Sequence, residues 1–202
     1  YFIGDGMGVN QVIGTEMYLA ELEGRIGTKS LSFTSFPVRN YLTTYSATNA
    51  VTCSAAAGTA LATGTKTQNG RIGMRQDSSV LYSIACKAKQ AGKAVGVTTS
   101  VAINHATPAV FYAHQPDRQM YYEIGTDAVK AGFDFYGGAG WKQVISPHDS
   151  SAIDLYSLLR DSGYMIIDHR QDFQALSAGA GKVVYVQPKD CVNPSSLPAA
   201  ID

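Results

Sequence analysis

Along this chain, short runs of β-branched and aromatic residues alternate with longer stretches in which apolar positions return every three or four residues. The first kind suits strands, the second helices that bury one face. The pattern predicts strands over 1–4, 38–44, 95–100, 133–136, 164–168 and 183–187, and helices over 10–23, 54–63, 80–90, 108–114, 118–130, 152–161 and 171–176. In the stretch 80–90, Leu81, Ile84, Ala85 and Ala88 fall on one face, as in a helix packed on a sheet. Gly92 then supplies a stop, and Lys87 and Lys89 suit a last turn. Such alternation argues an α/β fold with a largely parallel sheet. Ligands of these sheets gather beyond the C-terminal strand ends, where Gly4-Asp5, Ser100 and Gly137 fall. The polar stretch 146–151, with Pro147, reads as a surface loop. No repeat or shift in composition divides residues 1–202, which read as part of one domain.

Composition narrows the partners. Sixteen basic residues balance sixteen acidic ones, so no strong field draws the chain to nucleic acid or an anionic membrane. No apolar run approaches the roughly 20 residues that span a bilayer. Cys53, Cys86 and Cys191 lie far apart with no C-x-x-C pair, which favours incidental thiols and leaves one disulfide open. Tyr1-Phe2-Ile3 reads as the last part of a strand, and 193–202 as loop chemistry. The sequence is therefore expected to be a piece of a longer protein.

Three segments could carry chemistry. In V-T-C-S-A-A-A-G-T-A-L-A-T-G-T-K-T (51–67), Ser54 stands at the front of an alanine-glycine helix, where it is expected as the N-cap. Helix N-termini bind anions, and a serine there needs a base or a metal to become nucleophilic. Ala55, Ala56, Ala57 and Gly58 keep that helix thin enough for close packing. In F-I-G-D-G-M-G (2–8), Asp5 is a hard carboxylate for a cation, between glycines that allow close approach. In N-H-A-T-P (104–108), His105 and Thr107 could share a cation shell ahead of a helix opened by Pro108. Arg118, in H-Q-P-D-R, offers a fork for phosphate. Together these residues read as a metal-assisted phosphoryl-transfer site. Other features read as structural. G-A-G-K (179–182) lacks the rest of a phosphate loop, Asp168-His169 ends an ordinary strand, and His114 and His148 are expected to be structural or exposed. Tyr112, Tyr121 and Tyr122 are expected to line the core or a groove.

Taken in order, these segments, with V-G-V-T-T-S-V-A-I-N-H-A-T-P (95–108), Y-A-H-Q-P-D-R (112–118) and A-G-F-D-F-Y-G-G (131–138), resemble alkaline phosphatases. The resemblance spans essentially the whole chain, but only the N-terminal part of that enzyme. It implies a three-layer sandwich, incomplete here, and hydrolysis of phosphate monoesters through a phosphoserine with two Zn2+ and one Mg2+. Asp5 resembles the carboxylate bridging a zinc and the magnesium, Ser54 the nucleophile and a metal ligand, Thr107 a magnesium ligand, and Arg118 the phosphate clamp. His105 takes a neighbouring position where family members carry Asp or His. The resemblance also implies inorganic phosphate as product, a homodimer, and a periplasmic or extracellular location.

Two departures stand out. Many relatives carry Asp before the serine, where this chain has Cys53, so a looser Arg118 is expected. The family's remaining zinc ligands and a magnesium-binding Glu have no counterpart here, so the isolated segment is expected to bind little zinc and turn over poorly. Two rival readings differ from this one. A sulfatase needs C-x-P-x-R, which is absent after Cys53. A non-catalytic phosphate-binding module would keep Asp5, Ser54 and Arg118 without turnover.

Overall fold

A computed structural model describes residues 1–177 and 179–187. Cys191 and the loop expected over 193–202 lie outside the described residues. The chain divides into two units, Tyr1–Thr43 and Thr44–Asp202.

The first unit holds α1 (Val9–Leu22) and a single 3-10 turn at Phe33–Ser35. The Gly8 N–H donates to Gln11 Oε1 at 3.0 Å across the start of α1. Glu16 joins the helix to the segment after it by accepting from Leu31 N at 3.1 Å and from the Thr34 hydroxyl. Those bonds hold its carboxyl below the usual range, the Thr34 bond foremost. Val9, Ile13 and Met17 of α1 are exposed.

The second unit is built on a four-stranded parallel sheet in the order β1-β2-β4-β3: β1 (Gly96–Thr98), β2 (Phe135–Gly138), β3 (Tyr164–Ile167) and β4 (Lys182–Val186). Helices α2 (Ser54–Thr63) and α3 (Ile84–Gln90) precede the sheet. Between β1 and β2 come α4 (Ala106–Ala109) and α5 (Tyr121–Ala131), between β2 and β3 α6 (Leu155–Asp161), and between β3 and β4 α7 (Arg170–Gln174). Parallel neighbours require such crossovers. Each of the seven expected helices overlaps an observed one, with two corrections: α3 begins only at Ile84, because Val80 pairs with Met74 and Leu81 lies before the helix, and the helix expected over 108–114 is the short α4, which ends at Ala109. Their starts follow local chemistry: Ser83 caps α3 by accepting from Cys86 N at 3.0 Å, and Asp154 caps α6 by accepting from Ser157 N at 3.1 Å. Gly92 follows α3 with φ +73°, the left-handed turn that glycine tolerates.

Two expected strands do not form. Residues 1–4 and 38–44 carry strand-like side chains but lie outside every ladder among the described residues, with Phe2, Val38 and Tyr41 exposed. Propensity cannot make a strand without a partner edge and a face to cover. No described helix is long and apolar enough to cross a membrane.

The core of the second unit is aromatic at its centre. Tyr136 of β2 packs edge-on to Tyr112 and stacks with Phe133, with Trp141 and Tyr164 against its other sides. Their hydroxyls are not stranded: Tyr136 donates to Ala128 O at 2.9 Å and Tyr164 to Phe133 O at 2.8 Å. Burial pushes the Tyr136 phenol far above its usual range. The helix side is small-residue packing instead. A β-carbon on Gly58 of α2 would lie 3.0 Å from Val110 Cγ2, just after α4, so the thin helix is needed for this contact.

Asn104 joins the loop after β1 to two other segments. It is fully buried; its amide donates to Tyr121 O and Lys142 O, both at 2.8 Å, and its carbonyl accepts from Lys142 N at 2.9 Å. Removing a buried group so engaged leaves main-chain partners unsatisfied, so Asn104→Ala should cost about 3 kcal/mol of unfolding free energy. A loss under about 1 kcal/mol in denaturant titration would contradict this accounting.

Residues 71–83 form a small lobe beside α2. Met74 and Val80 make an antiparallel bridge, and Arg75 N donates to Ser79 O at 2.8 Å across the tip. Ser78 there has φ +69°, and Arg71 Nη1 gathers Arg75 O at 2.6 Å and Gln76 O at 2.9 Å.

Candidate active site

The residue before the serine, not the serine, caps α2. Cys53 is extended (φ −106°, ψ 167°) and its carbonyl accepts from Ala57 N at 2.9 Å, which makes Ser54 the first helical residue. Sequence favoured Ser54 as cap because serine accepts well there. The correction follows from the backbone, which turns helical one residue earlier. Ser54 is half-buried and still stands in the first turn, where main-chain N–H groups make the environment positive.

Opposite this turn lies the Asn69-Gly70 bend. Asn69 Oδ1 accepts from Cys53 N at 3.1 Å while Asn69 Nδ2 donates to Val51 O at 3.0 Å. Gly70, at φ +90°, donates its N–H to Cys53 Sγ at 3.1 Å. Its carbonyl accepts from Arg118 N at 2.8 Å. Ile72 and Gln115 then pair in antiparallel fashion, with both N–H···O bonds at 3.0 Å. Thr59 of α2 secures the same strip, since its hydroxyl accepts from Gly73 N at 3.0 Å. So α2, residues 69–73 and residues 113–118 form one hydrogen-bonded assembly, with Arg118 at its end.

The far side of that assembly rests on Asp127 of α5. Asp127 Oδ2 accepts from Gln115 Nε2 at 2.7 Å and from His114 N at 3.1 Å, and Lys130 pairs with Oδ1 at 3.1 Å. His114 Nε2 lies 3.2 Å from Leu81 O, and burial holds its imidazole below the usual range. It is structural, as expected; His148 is exposed.

Among the expected site residues, the structure brings Arg118 and His105 together: Arg118 Nη2 is 3.5 Å from His105 Nε2. Both are half-buried. His105 precedes α4 in extended conformation, and Thr107 is the second residue of that helix, on the loop that leaves β1. The loop that carries His105 is tied to the sheet end, because Ile103 N donates to Gly140 O at 2.8 Å beyond β2. Asp5 belongs to the first unit, in an exposed turn where Met7 N donates to Gly4 O at 3.2 Å.

Cys53 is perturbed. Burial raises its thiol, but the N–H groups of Ala56, Gly70 and Ala55, with the Arg118 charge, outweigh that and hold it below the usual thiol range. From sequence, Cys53 is an incidental thiol and a replaced aspartate, and nothing local in sequence joins it to the Asn69-Gly70 bend. A later Asn-Gly pair, with its tendency to turn, was the one available signal.

The model of the alkaline phosphatase family matches residues 1–137. The chain belongs to the alkaline phosphatase family. An alkaline phosphatase of Gadus morhua is 35% identical over 144 residues, covering 65% of this chain and 30% of that protein. The human tissue-nonspecific isozyme is 27% identical over 201 residues, covering 93% of this chain and 33% of its own length. Among solved structures, the alkaline phosphatase of Thermus thermophilus superposes with a TM-score of 0.78 at 30% identity, over 93% of this chain and 39% of that one. That of the Antarctic bacterium TAB5 gives 0.77 at 28%, over 93% and 52%. A variant of the latter is described with magnesium bound. This chain thus spans about a third of the relatives' length in sequence and from 39% to 52% of these two solved chains.

Alkaline phosphatase membership bears on the metal question. Among the described residues no three His, Cys, Asp or Glu side chains gather into a potential ion site. Ser54, Thr107 and His105 are oxygen and nitrogen donors of types that divalent cations accept, yet they are too few to close a shell. The described residues do not by themselves supply the full metal complement.

Proposed function

We propose that the protein of which this chain is part hydrolyses phosphate monoesters, with Ser54 as nucleophile and Arg118 as the phosphate clamp. The observation that carries the reading is the hydrogen-bonded assembly that joins the first turn of α2 to Arg118 through Gly70. Ser54 Oγ would attack phosphorus and give up its proton to water, while the ester oxygen leaves with the bonding pair and takes a proton from water. Water then attacks the phosphoserine, which restores the hydroxyl and releases inorganic phosphate. The guanidinium holds two non-bridging oxygens, and the helix N–H groups favour the same negative charge. Divalent zinc and magnesium, when bound, would lower the serine's pKa and stabilise the leaving oxygen. Asp5, Ser54, Thr107 and His105 are proposed as their ligands here, Asp5 on the strength of its motif alone. The ligands completing those shells would come from outside the described residues.

A second reading is a phosphate-binding module without turnover, which would use the same assembly of α2, Gly70 and Arg118. Calorimetric titration with inorganic phosphate and a chromogenic phosphomonoester assay on the full-length protein separate the two. Turnover with product inhibition by phosphate is expected; phosphate binding without any turnover would establish the module instead. Residues 1–202 alone are expected to turn over little.

A further inference from the structure

The thiol before the nucleophile has work of its own to do. Cys53 engages the Asn69-Gly70 bend twice, through its N–H to Asn69 Oδ1 at 3.1 Å and through its sulfur to Gly70 N at 3.1 Å. Gly70 has one N–H and one carbonyl to satisfy, and each has its own partner. One is spent on the sulfur and the other on the Arg118 main chain at 2.8 Å. The bend is in a left-handed conformation that glycine alone adopts without strain, so its orientation depends on what holds it. Only one residue therefore separates the sulfur from the backbone of the arginine. The Arg118 guanidinium itself is close enough for its charge to act on the thiol.

We propose that Cys53 is a positioning residue for Arg118, its sulfur accepting from Gly70 and so fixing the bend whose carbonyl holds the Arg118 main chain. The inference rests on the phosphomonoesterase reading, with Arg118 as clamp. It assigns the sulfur a neutral acceptor's task, so no ionisation of the thiol is required. Alanine at position 53 removes the acceptor and leaves the Gly70 N–H without it; serine keeps an acceptor on the same carbon.

The test is a double-substitution cycle in the full-length enzyme, read as the inhibition constant for inorganic phosphate and KM for a chromogenic monoester. Cys53→Ala should raise both about tenfold, the scale expected for a partly buried donor losing its partner. Cys53→Ser should stay within about threefold of the parent, because the acceptor survives. In an Arg118→Ala background, Cys53→Ala should add nothing, since the residue through which it acts is gone. Additive effects in that background, or equal losses for alanine and serine, overturn the inference while leaving Ser54-dependent turnover untouched. Should the alanine variant fail to fold, Cys53→Val takes its place against Cys53→Ser, and equal constants for those two are again the overturning result. A parent protein with no turnover at all would overturn both this inference and the reading beneath it.

Discussion

Ser54→Ala in the full-length protein is expected to abolish phosphoenzyme formation and reduce turnover by about 10³-fold or more, the scale seen when a catalytic nucleophile is removed. The structure makes this substitution unusually clean. Had Ser54 been the N-cap, alanine would have cost about 1 kcal/mol of stability in addition to any chemistry. Cys53 holds that position, and Ser54 opens the helix proper, where alanine is the best helix former. The thermal midpoint should therefore move little while activity collapses. Rapid-quench labelling with a radioactive phosphomonoester checks the chemistry, and a melting curve on the same sample checks the fold. Labelled protein persisting in the alanine variant would remove Ser54 from the mechanism.

Gly73→Ala is expected to be severe for a different reason. Gly73 is buried with φ +58°, and a β-carbon there would meet the Ala113 carbonyl oxygen at 2.2 Å. That oxygen belongs to main chain held by the Ile72–Gln115 pairing, so it cannot swing away as a side chain would. Left-handed strain costs about 1 kcal/mol and the clash adds more, for a total of about 3 kcal/mol or above. Relief must come from shifting 113–118, which also moves Arg118, so phosphate affinity should fall with stability. Gly64→Ala is the control. That glycine caps α2 at φ +76° with nothing within 4 Å, so it should lose only the strain of about 1 kcal/mol and leave phosphate binding alone. Denaturant midpoints and phosphate titrations on the two variants decide the matter; similar penalties would show that crowding at Ala113 is unimportant.

How much was legible beforehand follows from the range of the interactions involved. Helix α2 was readable to both bounds because its alanines, its glycine stop and its polar entry are local in sequence. The parallel sheet was readable because strand and helix signals alternate between 95 and 187. Residues 1–4 and 38–44 misled for a physical reason: a strand is a relation between two segments, and side-chain pattern describes only one of them. The same limit applies to the site. Ser54, His105, Thr107 and Arg118 stood out through motif and resemblance. The means by which Arg118 is held did not, because the Cys53–Gly70 and Gly70–Arg118 bonds join residues 17 and 48 positions apart, as the numbering of those bonds shows. Asn104 was similarly opaque. Its amide looks like one more polar residue in a loop until Tyr121 and Lys142 arrive around it.

The hairpin tip beyond Met74 and Val80 turns on itself: Arg75, Asp77 and Ser79 satisfy one another, and the tip is exposed. Its base, by contrast, is anchored on α2 through Gly73 and Thr59. A spectroscopic reporter grafted between residues 76 and 79 would stand on a tip whose base is bonded to α2 and to the strip that carries Arg118. The tip is thus a labelling position that reports on the packing of residues 69–73 without replacing any proposed site residue.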